Sequence, residues 1–190
     1  MAENKVQFNL KNVHYAVLTE GATPTWATPV AVPGAVNLSL DANGEVSPFY
    51  ADGVVYYQSI ANNGYTGTLE MAKIPDAMLA DVFGFAENTT DGVLYEDAST
   101  EPKPFALMFQ IDGDEDQEYY TLFRCLATRP PIASATNTET KEPQTASMDI
   151  SALPLNADGK YAMKVLARTM YDTTTTVKSG WFSSVWSDFN

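Results

Sequence analysis

Four groups of side chains in this 190-residue chain have the residue types that chemistry needs. His14 is the single histidine, so any proton relay through imidazole would fall on it. It stands on the polar side of an alternating apolar pattern, and no Gly-x-Ser-x-Gly nucleophile turn occurs anywhere. It reads as a strand-surface histidine. Asp112-Gly-Asp-Glu-Asp-Gln-Glu118 crowds carboxylates as a calcium loop does. An EF-hand needs Gly at its sixth position and Glu at its twelfth, and here those places hold Gln117 and Phe123. Asp112, Asp114, Glu115 and Asp116 therefore read as an acidic hairpin tip, with a loose cation site or a charged face toward a channel as the functional versions. Asp112 and Glu115 as paired hydrolytic carboxylates are a further alternative. Cys125 has no second cysteine to pair with, and a structural zinc site wants four N or S ligands, so a small buried strand residue is expected. Lys160, Lys164 and Arg168 would share one strand face. They form either a solvated stripe or a set of partners for Asp112–Asp116 across a subunit boundary. No catalytic residue, metal site or cofactor is expected from these groups, and the glycines are scattered at turns instead of gathered in a phosphate loop.

The elements that would position these residues are mostly strands. Val6, Phe8 and Leu10 alternate on even positions, then Val13, Tyr15 and Val17 on odd ones, so an extra residue is expected at Lys11-Asn12. Period-2 patterns recur at Val36–Leu40, Tyr65–Met71, Ala146–Ile150 and Tyr161–Ala167, with Val54–Ile60 β-branched and aromatic. Phe105, Leu107, Phe109 and Ile111 make one face, followed by Tyr120, Leu122 and Leu126. Asn43-Gly44, Asp52-Gly53, Asn63-Gly64, Asp91-Gly92, Asp112-Gly113 and Asp158-Gly159 are turn dipeptides. One short helix is predicted over about 75–83: Pro75 and Asp76 open it, Met78, Leu79, Val82 and Phe83 form its stripe, and Gly84 stops it. Gly21–Pro33, Glu87–Pro104 and Arg129–Gln144 read as irregular. The expected architecture is mainly β, a two-sheet sandwich over residues 1–172 with that helix at its side. Residues 173–190 are expected as a separate C-terminal arm.

Composition narrows the function classes. A net charge of −13 and a pI near 4.2 disfavour gripping nucleic acid, which requires clustered Lys and Arg, but suit letting DNA pass without adhesion. The start lacks a signal-peptide core, and Phe105–Ile111 is too short to span a bilayer, so a soluble protein made in the cytoplasm is expected, with no membrane partner.

Several segments, taken in order, resemble the phi13-type major tail proteins of long-tailed siphophages. Lys5–Val17 is similar to the family's opening. Phe49-Tyr-Ala-Asp-Gly53 resembles its Tyr-Ala-Asp-Gly signature. Asn63–Glu70, Ile74-Pro-Asp76 with the helix to Gly84, Asp158–Tyr161 and Trp181-Phe182 follow in the same order. The resemblance implies a tail-tube fold without enzymatic activity. It implies stacked, hexameric rings in the virion tail, made in the host bacterial cytoplasm. The implied partners are other copies of the chain, a tape-measure protein, and distal-tail and tail-terminator proteins, with double-stranded DNA passing through unbound.

Three segments are expected to make inter-subunit contacts: Lys5–Leu10 with Phe8; Asp41–Ala61 with Phe49, Tyr50, Tyr56 and Tyr57; and the tail with Trp181, Phe182 and Trp186. Ordinary packing within the chain is the alternative for each. Asp112–Glu118 is expected to line a lumen or face the next ring. The rival is a carbohydrate-binding or adhesion sandwich presenting Trp26, Trp181 and Trp186 to sugars.

Overall fold

The structure is a computed structural model that describes residues 4–136 and 143–189. The expected irregular loop Arg129–Gln144 thus lies partly outside the described residues. In chain order the elements are β1 (Gln7–Thr19), β2 (Thr25–Trp26), β3 (Val30–Ala31), β4 (Ala35–Ala42), β5 (Val46–Ala51), β6 (Val54–Ile60), β7 (Tyr65–Met71), α1 (Asp76–Asp81), β8 (Ala86–Asn88), β9 (Val93–Tyr95), β10 (Phe105–Gly113), β11 (Gln117–Ala127), β12 (Ala146–Ala152), β13 (Leu166–Arg168) and α2 (Thr175–Gly180).

The chain is mainly β. One large antiparallel sheet runs β2-β1-β10-β11-β12-β7-β4, with β3 added to β1 and β13 to β11. Among the described residues, β5 pairs only with β6, and β8 only with β9. The sheet curls until β4 comes close to β1, so two layers face each other without being two hydrogen-bonded sheets. Val13 and Tyr15 of β1, Leu69 and Met71 of β7, Phe105, Leu107 and Phe109 of β10, and Met148 and Ile150 of β12 fill the space between them.

The central strands are buried on both faces. Phe105, Leu107 and Phe109 enter the first core, while Ala106 and Met108 enter a second one with Ala16, Leu18 and Phe123. Side chains alternate across a strand, so only a continuous apolar run such as Phe105–Phe109 can supply both. The second core is closed by Leu155, Trp181, Val185 and Phe189. The C-terminal arm therefore lies on the sheet, and α2, for which no sequence signal was identified, leads into it.

Phase changes fall where extra residues are inserted. β1 slips register between Lys11 and His14, with Asn12 at φ 50°, as the alternation predicts. β11 slips as well: Leu107 faces Leu122, but Phe105 faces Cys125. The slip puts Cys125 and Ala127, and not Leu126, into the first core. The expected face of Tyr120, Leu122 and Leu126 is broken for that reason.

Helix α1 forms within the predicted range. Pro75 sits at its N-cap, and Met78, Val82 and Phe83 are buried, with Gly84 beyond them at φ 73°. Tyr15 Oη donates to Asp81 Oδ2 at 2.7 Å, tying the helix to β1. The strand expected over Tyr161–Ala167 does not form along its length. Gly159–Tyr161 makes a 3-10 turn, Met163 takes φ 58°, and only Leu166–Arg168 pairs. A residue in the left-handed region breaks the regular run of a ladder.

Gly67 marks a close approach of backbones. β7 lies between β4 and β12, and a Cβ on Gly67 would stand 1.8 Å from the Ser39 carbonyl oxygen. Gly67→Ala must push β4 away. It is expected to cost about 3 kcal/mol and lower the melting temperature by roughly 6–12 °C. Thermal denaturation followed by circular dichroism checks this; melting alongside the parent protein would contradict it.

Candidate assembly surfaces

The most exposed apolar feature is the hairpin β5–β6. Asp52 and Gly53 have φ 52° and 79°, giving a two-residue turn with both central residues in the left-handed region, which suits the twist of paired strands. Asn43-Gly44 and Asn63-Gly64 were expected as turns. They instead face each other at the neck, where Asn43 N donates to Gly64 O and Asn63 N to Asn43 O, both at 2.8 Å. The neck joins the β4–β7 ladder to β5–β6 while breaking its regularity, and the arm stands apart from both cores.

On this arm Val46, Phe49, Tyr50, Val54, Val55, Tyr56, Tyr57 and Ile60 are all exposed, Tyr56 at 74%. The register slips beside Tyr56, with Phe49 facing Tyr57 and Tyr50 facing Val55, so Val54 and Tyr57 dress one face with Phe49, and Val55 the other with Tyr50. A two-stranded hairpin is at best marginally stable alone in water, and contiguous apolar exposure of this kind marks an interaction surface.

Phe8 also lies open, 70% exposed, on the first strand. It borders a groove of about 680 Å³ between β1 and the edge of β4, floored by Leu38, Phe109 and Tyr120.

The tail residues are placed differently. Trp181 is 3% exposed, its Nε1 donating to Tyr120 O at 3.4 Å and its ring stacked near Trp186. Phe182 stacks on His14 at 4.5 Å between centroids. The His14 Nδ1 lies 2.8 Å from Asn12 O, so the single histidine is occupied by packing and a local hydrogen bond. These contacts are within the chain. Trp26 Nε1 donates to Phe123 O at 3.0 Å. With Trp181 buried and Trp186 stacked on it, the three tryptophans do not present a common flat platform for sugars.

The acidic tip is held by its own chain. Lys11 pairs with Asp112 at 2.5 Å, Lys178 with Asp116, and Arg168 with Glu118 at 3.4 Å. Asn4 Nδ2 donates to Asp116 O at 2.9 Å, and the Glu115 and Asp116 N–H groups donate to Asn4 Oδ1. Lys5 N donates to Asp114 Oδ1 at 2.8 Å. The tip thus clasps both the first strand and the C-terminal arm, a link carried by Asn4 that charge counting along the sequence does not reveal. Among the described residues, no cluster of three or more His, Cys, Asp or Glu is arranged to hold a metal ion. Asp112 is committed to Lys11, so it is not free beside Glu115 as a hydrolytic pair would require. Arg168 is held by Glu118, while Lys160 and Lys164 have no ion-pair partner among the described residues.

Burial alone would raise the Glu118 carboxyl, but hydrogen bonds from Tyr120, Asn4 and Gln7 and the nearby Arg168 charge outweigh it and hold it below the usual range. The Lys11 ammonium chiefly holds Asp112 low as well. A lowered folded-state value means that the carboxylate stabilises the fold above its unfolded value, near 4.3. That contribution disappears as pH falls through the folded value. Glu118→Gln is therefore expected to melt below the parent at pH 7, with the gap closing as the pH falls below the unfolded-state value. A gap independent of pH would show that the charge on Glu118 contributes nothing.

Cys125 is fully buried, and burial pushes its thiol up to about 12. It fills space in the first core as expected.

A scan against protein-family models matches none, and no curated protein matches the chain. Among solved structures, the chain is similar to one in the cryo-EM structure of the anti-feeding prophage (AFP) baseplate, 6-fold symmetrised. The identity is 11%, with 90% of this chain and 99% of that chain covered, at a TM-score of 0.40. A likeness this loose in sequence and superposition carries no inference about this chain. No helix of the described residues is long and apolar enough to cross a membrane.

Proposed function

We propose that this protein is a structural subunit of a bacteriophage tail, polymerising through stacked, hexameric rings into the tube that conducts DNA. The observation that carries the reading is the β5–β6 arm, apolar on both faces and standing off the body. Such an arm is a poor design for a lone monomer and a serviceable one for a subunit whose neighbour covers it. The ordered resemblance to the siphophage major tail proteins supplies the kind of assembly. Open edges on β4 and β13 add to it, because sheet edges accept strands from other chains. A contact between two different surfaces of one subunit closes rings or propagates filaments.

In this reading the subunit has no catalytic role or cofactor. It assembles around a tape-measure protein between distal-tail and terminator proteins, and acidic surface lets phosphates slide past. The test is negative-stain electron microscopy of the purified protein at rising concentration, alone and with its phage tail partners. Annuli or cylinders are expected. A monodisperse monomer under every one of those conditions would sink the reading.

A further inference from the structure

We infer that the β5–β6 arm of one copy docks on the free edge of β13 in a second copy, with β6 adding as a strand. The inference rests on the self-assembly reading above and names the surface that receives the arm.

The acceptor edge is open. Val165 O accepts from Phe123 N, and Thr169 N donates to Tyr119 O, so the positions bonded to β11 are odd-numbered. Leu166 and Arg168 therefore turn their backbone N–H and C=O groups outward, and β13 pairs with no strand but β11 among the described residues. An apolar groove lies on each side of this edge. One, of about 680 Å³, is lined by Tyr65, Ile111 and Tyr120; the other, of about 650 Å³, by Val177, Trp181 and Trp186. Leu166 and Arg168 border both.

A strand entering between two apolar grooves must be apolar on both faces, since its side chains alternate. The tip-proximal part of β6 meets that condition even across its register slip, with Val54 and Tyr57 on one face and Val55 on the other, and Val54–Tyr57 is exposed throughout. β5 is the poorer donor because Pro48 lacks the N–H that edge pairing uses. Charge points the same way. No lysine or arginine lies between Lys11 and Lys73, and the arm carries Glu45 and Asp52. The acceptor region carries Lys164, which makes no ion pair among the described residues, beside Arg168, which is paired with Glu118, and one further carboxylate, Asp172, so Lys164 is the cation open to the arm. Opposite charges on the two surfaces fix which way round they meet. With only three residues in β13, backbone pairing sets register while the grooves provide most of the contact.

The test combines charge exchange with cross-linking. Lys164→Glu with Arg168→Glu is expected to raise the concentration needed for assembly by roughly tenfold or more, and adding Glu45→Lys and Asp52→Lys is expected to restore it. Independently, Tyr56→Cys protein mixed with Leu166→Cys protein should form a mixed disulfide under mild oxidation. Tyr56→Cys mixed with Lys73→Cys, on the approach to α1, should not. Assembly that needs the arm yet ignores the charge exchange and gives no Tyr56–Leu166 cross-link would overturn this acceptor site and leave the assembly reading standing. Failure of the parent protein to assemble at all would overturn both.

Discussion

With Tyr56 and Tyr57 both replaced by serine, the protein is expected to stay folded and to lose the self-assembly proposed for it. Both rings are exposed on an arm that contributes to neither core, so each truncation should shift stability by about 0.5 kcal/mol or less. The register Phe49↔Tyr57 means that one cross-strand pair is lost within the hairpin, worth roughly 0.2–1 kcal/mol. In an interface the same rings count for much more. Buried aromatic anchors commonly cost about 2 kcal/mol or more each on truncation, so the pair is worth about a thousandfold in the concentration needed for assembly. Light scattering against concentration reads this directly, and circular dichroism confirms the fold. A double variant that polymerises like the parent would remove the arm from the interface.

The contrast between the arm and the cores also shows what was legible beforehand. Val54–Ile60 reads as a strand, and its aromatic content marks a contact surface, but periodicity does not say whether both faces are covered by the same chain. That depends on the neck. Asn43-Gly44 and Asn63-Gly64 look like turn tips one at a time, and only their pairing across strands reveals a joint. The bulge in β1 was visible because the apolar set switches parity between Leu10 and Val13. The matching slip in β11 was not, since Leu122 and Leu126 share parity and Cys125 is a weak apolar marker. Two-sided burial of β10 had its signal in the unbroken run from Phe105 to Phe109. Asn4, by contrast, holds the acidic tip through hydrogen bonds to backbone groups more than a hundred residues away, which no local pattern encodes.

Trp181→Ala is expected to be the most damaging single substitution in the C-terminal arm, and through folding before assembly. Trp181, Val185 and Phe189 recur every four residues and close the second core over Ala106, Met108 and Phe123. Removing the indole leaves a cavity between Tyr119, whose ring centroid lies 6.3 Å away, and Trp186. Truncating a buried Trp costs about 3–5 kcal/mol, or a drop in melting temperature of roughly 6–20 °C for a chain of this size. Val177 and Phe182 pack against the same cluster, so local unfolding of the arm should accompany the loss. Hydrogen exchange at Phe123 and Met108 reads that exposure. The opposite result is equally informative: unchanged melting with assembly abolished would mean that the arm serves a neighbour, and that its seat on the parent sheet is exchangeable. The physical distinction is where the indole's buried area is counted. An intrachain seat makes Trp181 a stability residue at any dilution, whereas an exchanged seat makes its contribution depend on protein concentration.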